Sequence, residues 1–321
     1  MFFMRVRFGY VAIAMRLDKV TSSSPVTYKK YSSIESERER LSLLKRVTQS
    51  NLIDLIKILK YNIENDIHFY RLTSKLIPLA THQDVVWNYS KVIQTECHEV
   101  AKLIKQSNMR VDAHPDQFNV LNSVNESVIE SSIRTLEHQL DLFDLFDMEH
   151  GKLVLHVGGK AGGKEAALER FIHTFERLPS RLQRALILEN DDKTYSASDV
   201  LGLCQRLHIP MVLDIHHHRC YNEGESLESM VESIFKTWEA DYWPPKIHVS
   251  SPKEFETDRR HADFIEVDDI LRFLDLIKPL NQDIDVMIEA KQKDLALHLL
   301  VHEIKQARPK WQWLDHTTIE I

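Results

Sequence analysis

The chain has 321 residues, 43% of them hydrophobic and 28% charged, with a net charge of −7. That is ordinary globular usage and excludes a disordered or fibrous chain; a polyanionic partner has to be held by local basic patches or metal ions, not by the global field. Cys97, Cys204 and Cys220 follow no pattern, which argues against a disulfide framework or a thiolate zinc site and fits a reducing cytoplasm.

No apolar run reaches the ~18 residues of a membrane span. The first fifteen residues are broken by Arg5 and Arg7 and are expected to hold the first buried strand, Val6–Ala12, not a leader peptide. Further strands are expected at Ile67–Leu72, Met109–Ala113, Leu153–Val157, Ala185–Leu188, Met211–Ile215, Lys246–Val249 and Asp285–Ile288. Amphipathic stretches separate them. Leu41, Leu44, Leu52, Leu55, Ile56 and Leu59 share one helix face, interrupted near Val47–Ser50. Asp84–Gln106, Glu126–Phe146, Lys164–Arg177, Ala197–Leu207, Leu227–Trp238, Val267–Ile277 and Lys293–Ala307 read the same way. The alternation predicts a single α/β domain over 1–321, a (β/α)₈ TIM barrel, with an open doubly wound sheet as the competing arrangement. The long irregular segment from Arg16 to Ser33 would then lie on the C-terminal face.

Seventeen histidines against eight glycines prompt a search for metal ligands. His82 follows the second strand and His114 closes the third. His156 closes the fourth, Glu189 the fifth, and Asp214 with His217 the sixth. His248 lies in the seventh, His261 in the loop beyond it, and Glu289 closes the eighth. A barrel brings such positions to one mouth. Imidazole and carboxylate without thiolate is a ligand set for zinc, manganese or iron(II). Singly, a histidine at a strand end is more often a hydrogen-bonded structural residue, and Glu189 could cap the following helix; together they point to a metal cluster. Lys246 shares the strand face of His248. It could balance charge, contact phosphate or, once modified, act as a carboxylate-like ligand; otherwise it reaches solvent.

The strings Gly9-Tyr10, Arg71-Leu-Thr-Ser74, His114-Pro-Asp-Gln-Phe118, Leu155-His-Val-Gly-Gly159, Leu188-Glu-Asn-Asp191, Asp214-Ile-His-His217, Lys246-Ile-His-Val-Ser250 and Ile288-Glu-Ala-Lys291 occur in this order. The ordered set, over about Val6 to Lys291, closely resembles the UV damage endonuclease family. The resemblance implies a (β/α)₈ barrel related to endonuclease IV. It also implies a DNA repair activity that nicks double-stranded DNA immediately 5′ of ultraviolet photoproducts, leaving a 3′-hydroxyl and a 5′-phosphate. Three divalent ions are implied, manganese first, with zinc, cobalt or magnesium as alternatives.

The family's ligands fall on His82, His114, His156, Glu189, Asp214, His217, His248, His261 and Glu289, and its carboxyl-carrying lysine on Lys246. Glu189 and Lys246 are the expected catalytic groups. The resemblance places the damage-probing pair on Gln117 and Phe118, with phenylalanine where the family has tyrosine, and puts Tyr10 near the flipped lesion. Glu189 is expected to bridge two ions, with Asp214, His248 and Glu289 around one. His114 and His156 are assigned to the second and His217 and His261 to the third. Lys29, Lys30, Lys160, Arg259 and Arg260 are candidate phosphate contacts, and the protein is expected to work as a monomer in the cytoplasm, away from membranes. Three rival readings remain: an apurinic endonuclease, a metal-dependent sugar isomerase and a non-catalytic metal-binding scaffold.

Overall fold

The structure, a computed structural model, describes residues 3–321. Eight parallel strands close into a barrel: β1 (Arg5–Val11), β2 (Phe69–Leu72), β3 (Arg110–Ala113), β4 (Leu153–His156), β5 (Leu186–Glu189), β6 (Met211–Asp214), β7 (Lys246–Val249) and β8 (Ile284–Ile288). They neighbour one another in sequence order, and pairing of β1 with both β8 and β2 completes the ring. Two short strands follow, β9 (Gln312–Trp313) and β10 (Thr318–Glu320). The latter runs antiparallel to Arg5–Arg7 of β1 and to β9, so the motif-free C-terminal stretch ends in a hairpin against the barrel wall.

The helices lie outside the ring: α1 (Tyr28–Ser32), α2 (Glu37–Glu64), α3 (Gln94–Ser107), α4 (Glu126–Leu145), α5 (Lys164–Glu176), α6 (Ser180–Ala185), α7 (Ala197–Leu207), α8 (Ile215–Cys220), α9 (Leu227–Lys236), α10 (Val267–Ile277) and α11 (Lys293–Ala307). Their buried faces and the outward residues of the strands form one main apolar core. Where β1 passes β2, a Cβ on Gly9 would sit 2.1 Å from the Phe69 carbonyl oxygen, so only glycine allows that approach. Among the described residues no helix is long and apolar enough to cross a membrane.

Two helix expectations are corrected. The α2 helix runs unbroken through Val47–Ser50, because the polar residues near that gap have work on its inner face. Asn51 donates to the Ser24 and Leu76 carbonyls at 3.0 Å each and accepts from the Ser24 amide at 2.9 Å. With Asp54 accepting from Thr21, this ties the β1 loop down. The stretch from Asp84 to Ile93 is not helical. Val85 and Trp87 instead pack beside Tyr31 and Leu44, a satellite cluster that a continuous helix would pull apart.

Two histidines far from the strand ends are structural. His138 shares a 2.7 Å hydrogen bond with the Tyr89 hydroxyl, and His298 bridges Tyr61 (2.8 Å) and His316 (2.9 Å). Burial pushes both imidazoles down to about 4, opposed by Asp141 at His138 and reinforced by Arg16 at His298. In the unfolded chain they titrate near 6.5. The folded state therefore binds fewer protons between those values, and stability falls as pH drops through that window. The melting temperature of metal-free protein should decline from pH 6.5 toward 5. His138→Gln should make the decline shallower; an unchanged slope would remove His138 from this account.

Candidate metal centre

Alternation along each strand decides what enters the barrel. Taking every second residue gives Asp112 then His114, Val154 then His156, Ile187 then Glu189, Val212 then Asp214, Lys246 then His248, and Met287 then Glu289. The second member of each pair lies within one residue of the strand's C-terminal end, so the six reach one level at the mouth. The layer below holds Phe69, Val154, Ile187, Val212 and Met287 with Asp112 and Lys246. A charged floor lies lower still. Asp285 accepts two bonds from Arg7 (2.6 and 2.7 Å) and one from Arg110 (2.8 Å). Arg110 also donates to Asp112 at 3.0 Å and lies against the rings of Phe69, Trp238 and Trp243.

Glu189 occupies the centre of the mouth and is 1% exposed. One carboxylate oxygen is 2.9 Å from His114 Nε2 and 3.7 Å from His156 Nε2. The other is 2.9 Å from His248 Nδ1 and 3.5 Å from His217 Nδ1. Ligand atoms fall into three groups, each within 4.8 Å: His114, His156 and Glu189; Glu189, Asp214 and His217; Glu189, His248 and Glu289. Glu189 belongs to all three. This differs from the expected partition in three respects: Glu189 joins three groups and not two, His261 lies outside them, and Asp214 groups with His217 and not with His248. The reason for the last is local: Asp214 caps α8, its carboxylate accepting from the His217 amide at 2.7 Å, so one helical turn carries His217 back over it.

Hydrogen bonds orient the imidazoles. His114 Nδ1 faces the Pro115 carbonyl at 3.0 Å, His217 Nδ1 the Asn190 carbonyl at 2.9 Å, and His261 Nδ1 the Glu289 carbonyl at 2.6 Å. In a neutral imidazole a ring nitrogen against a carbonyl carries the proton, which leaves Nε2 as a lone pair. With His114 in that neutral form, Nε2 and the Glu189 oxygen 2.9 Å away are both acceptors, which a shared cation would satisfy. Burial pushes His114 down to about 4, against the pull of Glu189, so a proton is poorly held there at neutral pH.

The carboxylates are strongly acidic. Burial alone would raise Glu189, but the imidazoles of His248, His156 and His114 hold it well below the usual range. Glu289 is lowered likewise, by Arg71 and His248 against burial. His217 goes the other way: Asp214 and Glu189 outweigh burial and raise it to about 9. Around these groups three buried polar atoms have no hydrogen-bond partner among the described residues: His156 Nδ1, Asp214 Oδ2 and His248 Nε2. Unpaired buried donors and acceptors are costly. Divalent ions fit this donor set, because each would give lone pairs and negative charge the cation they lack.

The other expected residues are placed as follows. Lys246 is fully buried and points into the barrel, its Nζ 3.3 Å from Asp112 and 5.3 Å from the Phe69 ring centroid. Burial pushes its ammonium down to about 8, with Asp112 opposing. His261 is beside the cluster, its ring 6.3 Å from that of His217, but outside the three groups. His82 also lies outside them; its ring stacks on Tyr28 with centroids 4.0 Å apart. Gln117 and Phe118 are exposed on the loop after β3, Phe118 by 78%. Tyr10 is corrected. It is fully buried between β1 and α2, its hydroxyl donating to Asn62 at 2.7 Å, and so faces away from the mouth.

Sequence reasoning missed Arg71, whose guanidinium contacts the Glu289 carboxylate. It also missed Asn190, whose side-chain amide accepts from the Asp214 backbone N–H at 2.9 Å and donates to its carbonyl at 3.0 Å. For Arg71 the available signal was a charge two residues beyond Phe69 on a strand otherwise buried. Asn190 showed only as a polar residue after a strand end.

Comparison with known proteins identifies the family. The sequence profile described as UV-endonuclease UvdE matches residues 6–312. A UV DNA damage endonuclease of Bacillus pumilus (strain SAFR-032) is 38% identical over 307 residues, 95% of this chain and 96% of that protein. One from Bacillus cereus (strain Q1) is 38% identical over 306 residues, with the same coverage. The crystal structure of SacUVDE superposes with a TM-score of 0.83 at 34% identity, over 94% of this chain and 99% of that one. Endonuclease IV from Thermus thermophilus shares the fold, with a TM-score of 0.58 at 14% identity over 94% and 99%. This chain belongs to the UV-endonuclease family, whose members are DNA repair endonucleases on a TIM barrel.

Proposed function

We propose that this nuclease is metal-dependent and cuts duplex DNA immediately 5′ of ultraviolet photoproducts, cyclobutane pyrimidine dimers and 6-4 photoproducts, leaving a 3′-hydroxyl and a 5′-phosphate. The observation that carries the reading is the Glu189 carboxylate shared by three groups of ligand atoms at the barrel mouth. A divalent ion in such a site supplies an acidified water and charge compensation for the phosphodiester. Three ions, manganese first, are the reading's complement, with zinc, cobalt or magnesium as alternatives. In the net reaction water adds to phosphorus, the P–O3′ bond breaks, and the 3′ oxygen takes up a proton.

The residues divide the labour. Glu189, Asp214, Glu289, His114, His156, His217 and His248 hold the ions, and His261 is near enough to join them from its loop. His82 would have to leave Tyr28 to do so. Arg71 braces Glu289 and keeps a fixed cation beside the cluster. Lys246, buried beneath His248, balances the interior charge or, carboxylated as in the family, turns its own charge negative. Asn190 fixes the backbone that carries Asp214 and His217. Lys29, Lys30 and Lys160 are exposed and suit phosphate contacts. Arg260 is already committed to Asp258 (2.7 Å) and Glu254 (2.9 Å), and Arg259 lies 3.6 Å from Asp192. Three free cysteines suit a reducing cytoplasm, and the reading has the protein act as a monomer.

Incubation with manganese and duplexes carrying a photodimer, an abasic site or no lesion tests the reading. The photodimer duplex should be nicked once, 5′ of the lesion, and preferentially. Glu189→Gln should remove nearly all nicking and lower bound metal per chain while the protein stays folded. Nicking confined to the abasic duplex, or near-normal nicking by the variant, would contradict it.

A photodimer weakens pairing, so extruding it costs less than extruding intact bases, and an apolar side chain can fill the gap. Phe118 is exposed for that role, with Gln117 beside it. Stacking contributes about 1–3 kcal/mol per base. Gln117→Ala with Phe118→Ala should therefore weaken binding to photodimer duplex on the order of ten- to a hundredfold, with metal content intact and much smaller losses on undamaged duplex. Equal losses on both would show that the pair does not read damage. Phe118→Tyr restores the family's residue and measures what the missing hydroxyl contributes.

A further inference from the structure

A second exposed aromatic lies across the mouth from Phe118, on the loop between β7 and α10. This loop is a folded hairpin. Pro252 and His261 form an antiparallel bridge, the Lys253 amide donates to the Arg260 carbonyl at 3.0 Å, and the Ala262 amide to the Ser251 carbonyl at 2.9 Å. At the tip the Asp258 amide donates to the Phe255 carbonyl at 2.8 Å. Arg260 clasps the two arms by pairing with Asp258 and Glu254. The base is pinned to the strand ends: the Lys291 amide donates to Ala262 at 3.1 Å, Gln292 to Asp263 at 3.0 Å, and His261 Nδ1 bonds the Glu289 carbonyl. Phe255 stands at the tip, 60% exposed, with Phe264 40% exposed nearer the base.

A single exposed phenylalanine needs no explanation. The position of this one does. In a ring of eight strands in sequence order, β3 and β7 are four apart and hence diametrically opposed. The Phe118 and Phe255 loops therefore rise on opposite sides of the cluster centred on Glu189. Of the acidic residues beside Phe255, Glu254 and Asp258 are paired within the hairpin by Arg260 while Glu256 is exposed, so the tip offers apolar area with part of its repulsion of phosphate removed. Its cross-links also mean that little ordering entropy is lost when it is buried against a partner.

We propose that Phe255 is a second DNA-contacting wedge, packing against the sugars and base edges of the bent duplex on the side opposite Phe118. The inference rests on the reading of this protein as a duplex-DNA endonuclease. Two wedges facing each other across the mouth hold a kinked helix at both flanks of the reacting phosphate, where one alone would leave the far flank free to swing. The contact is apolar and releases no counterions, which separates it from a phosphate contact.

The test measures binding of photodimer and undamaged duplex across a series of salt concentrations, for wild type, Phe255→Ala, Phe255→Trp and Lys253→Ala. Phe255→Ala should bind photodimer duplex about tenfold more weakly, in line with loss of one stacking contact. Its salt slope, metal content and melting temperature should match wild type. Phe255→Trp should retain affinity, and Lys253→Ala serves as the comparison for a variant that removes charge near the tip. A loss below about twofold on photodimer duplex, or a shallower salt slope for Phe255→Ala, overturns the wedge while leaving the endonuclease reading intact. Failure of wild type to prefer the damaged duplex overturns that reading and the wedge with it.

Discussion

Three carboxylates, Glu189, Asp214 and Glu289, meet at the end of a barrel with little access to bulk water, and negative charge so confined has to be matched by cations. The chain matches it in layers. Imidazoles of His114, His156, His217 and His248 surround Glu189 at the mouth, and Arg71 touches Glu289. Below them Lys246 pairs with Asp112, and at the floor Arg7 and Arg110 share Asp285. Even so, the balance at the top is incomplete: one His248 nitrogen faces two carboxylates, at 2.9 and 3.1 Å, while its other nitrogen has no partner. Divalent ions would complete that balance.

The barrel converts this local demand into a tool for a large substrate. The ligands sit on strand ends fixed by the closed ladder, whereas the groups that would meet DNA stand on the loops above them. The β3 loop carries His114 at its root and Phe118 near its top, and the β7 hairpin carries His261 at its root and Phe255 at its tip. Each loop thus couples the position of an aromatic to the position of the cluster over a few residues. On the proposed reading, that arrangement would hold recognition and bond cleavage in one frame.

Much of this was legible in the sequence, and the legible part has a common cause. Strand ends in a parallel barrel are topologically equivalent, so His114, His156, Glu189, Asp214, His248 and Glu289 could be collected without knowing any distance. The D-x-x-H spacing of Asp214 and His217 was visible, but its pairing required knowing that Asp214 caps α8. Periodicity misread the helix around Asn51 because it scores apolar residues, while the Asn51 side chain there holds the Ser24 and Leu76 carbonyls. It misread Asp84–Ile93 because Val85 and Trp87 serve a satellite cluster. Tyr10 was misplaced by following a motif without asking which strand face it occupies; Gly9, not Tyr10, takes the inward position. Arg71 and Asn190 act through partners far away in sequence, and no local pattern marks such contacts.

The central claim is that Glu189 joins ions held by groups on different strands. Anomalous diffraction at the manganese edge from crystals grown with manganese tests it most directly. The account predicts anomalous peaks inside the barrel mouth, at least two of them coordinated by Glu189, with neighbours drawn from His114, His156, Asp214, His217, His248 and Glu289. Manganese bound only at surface carboxylates, with Glu189 still bonded to imidazoles alone, would contradict it.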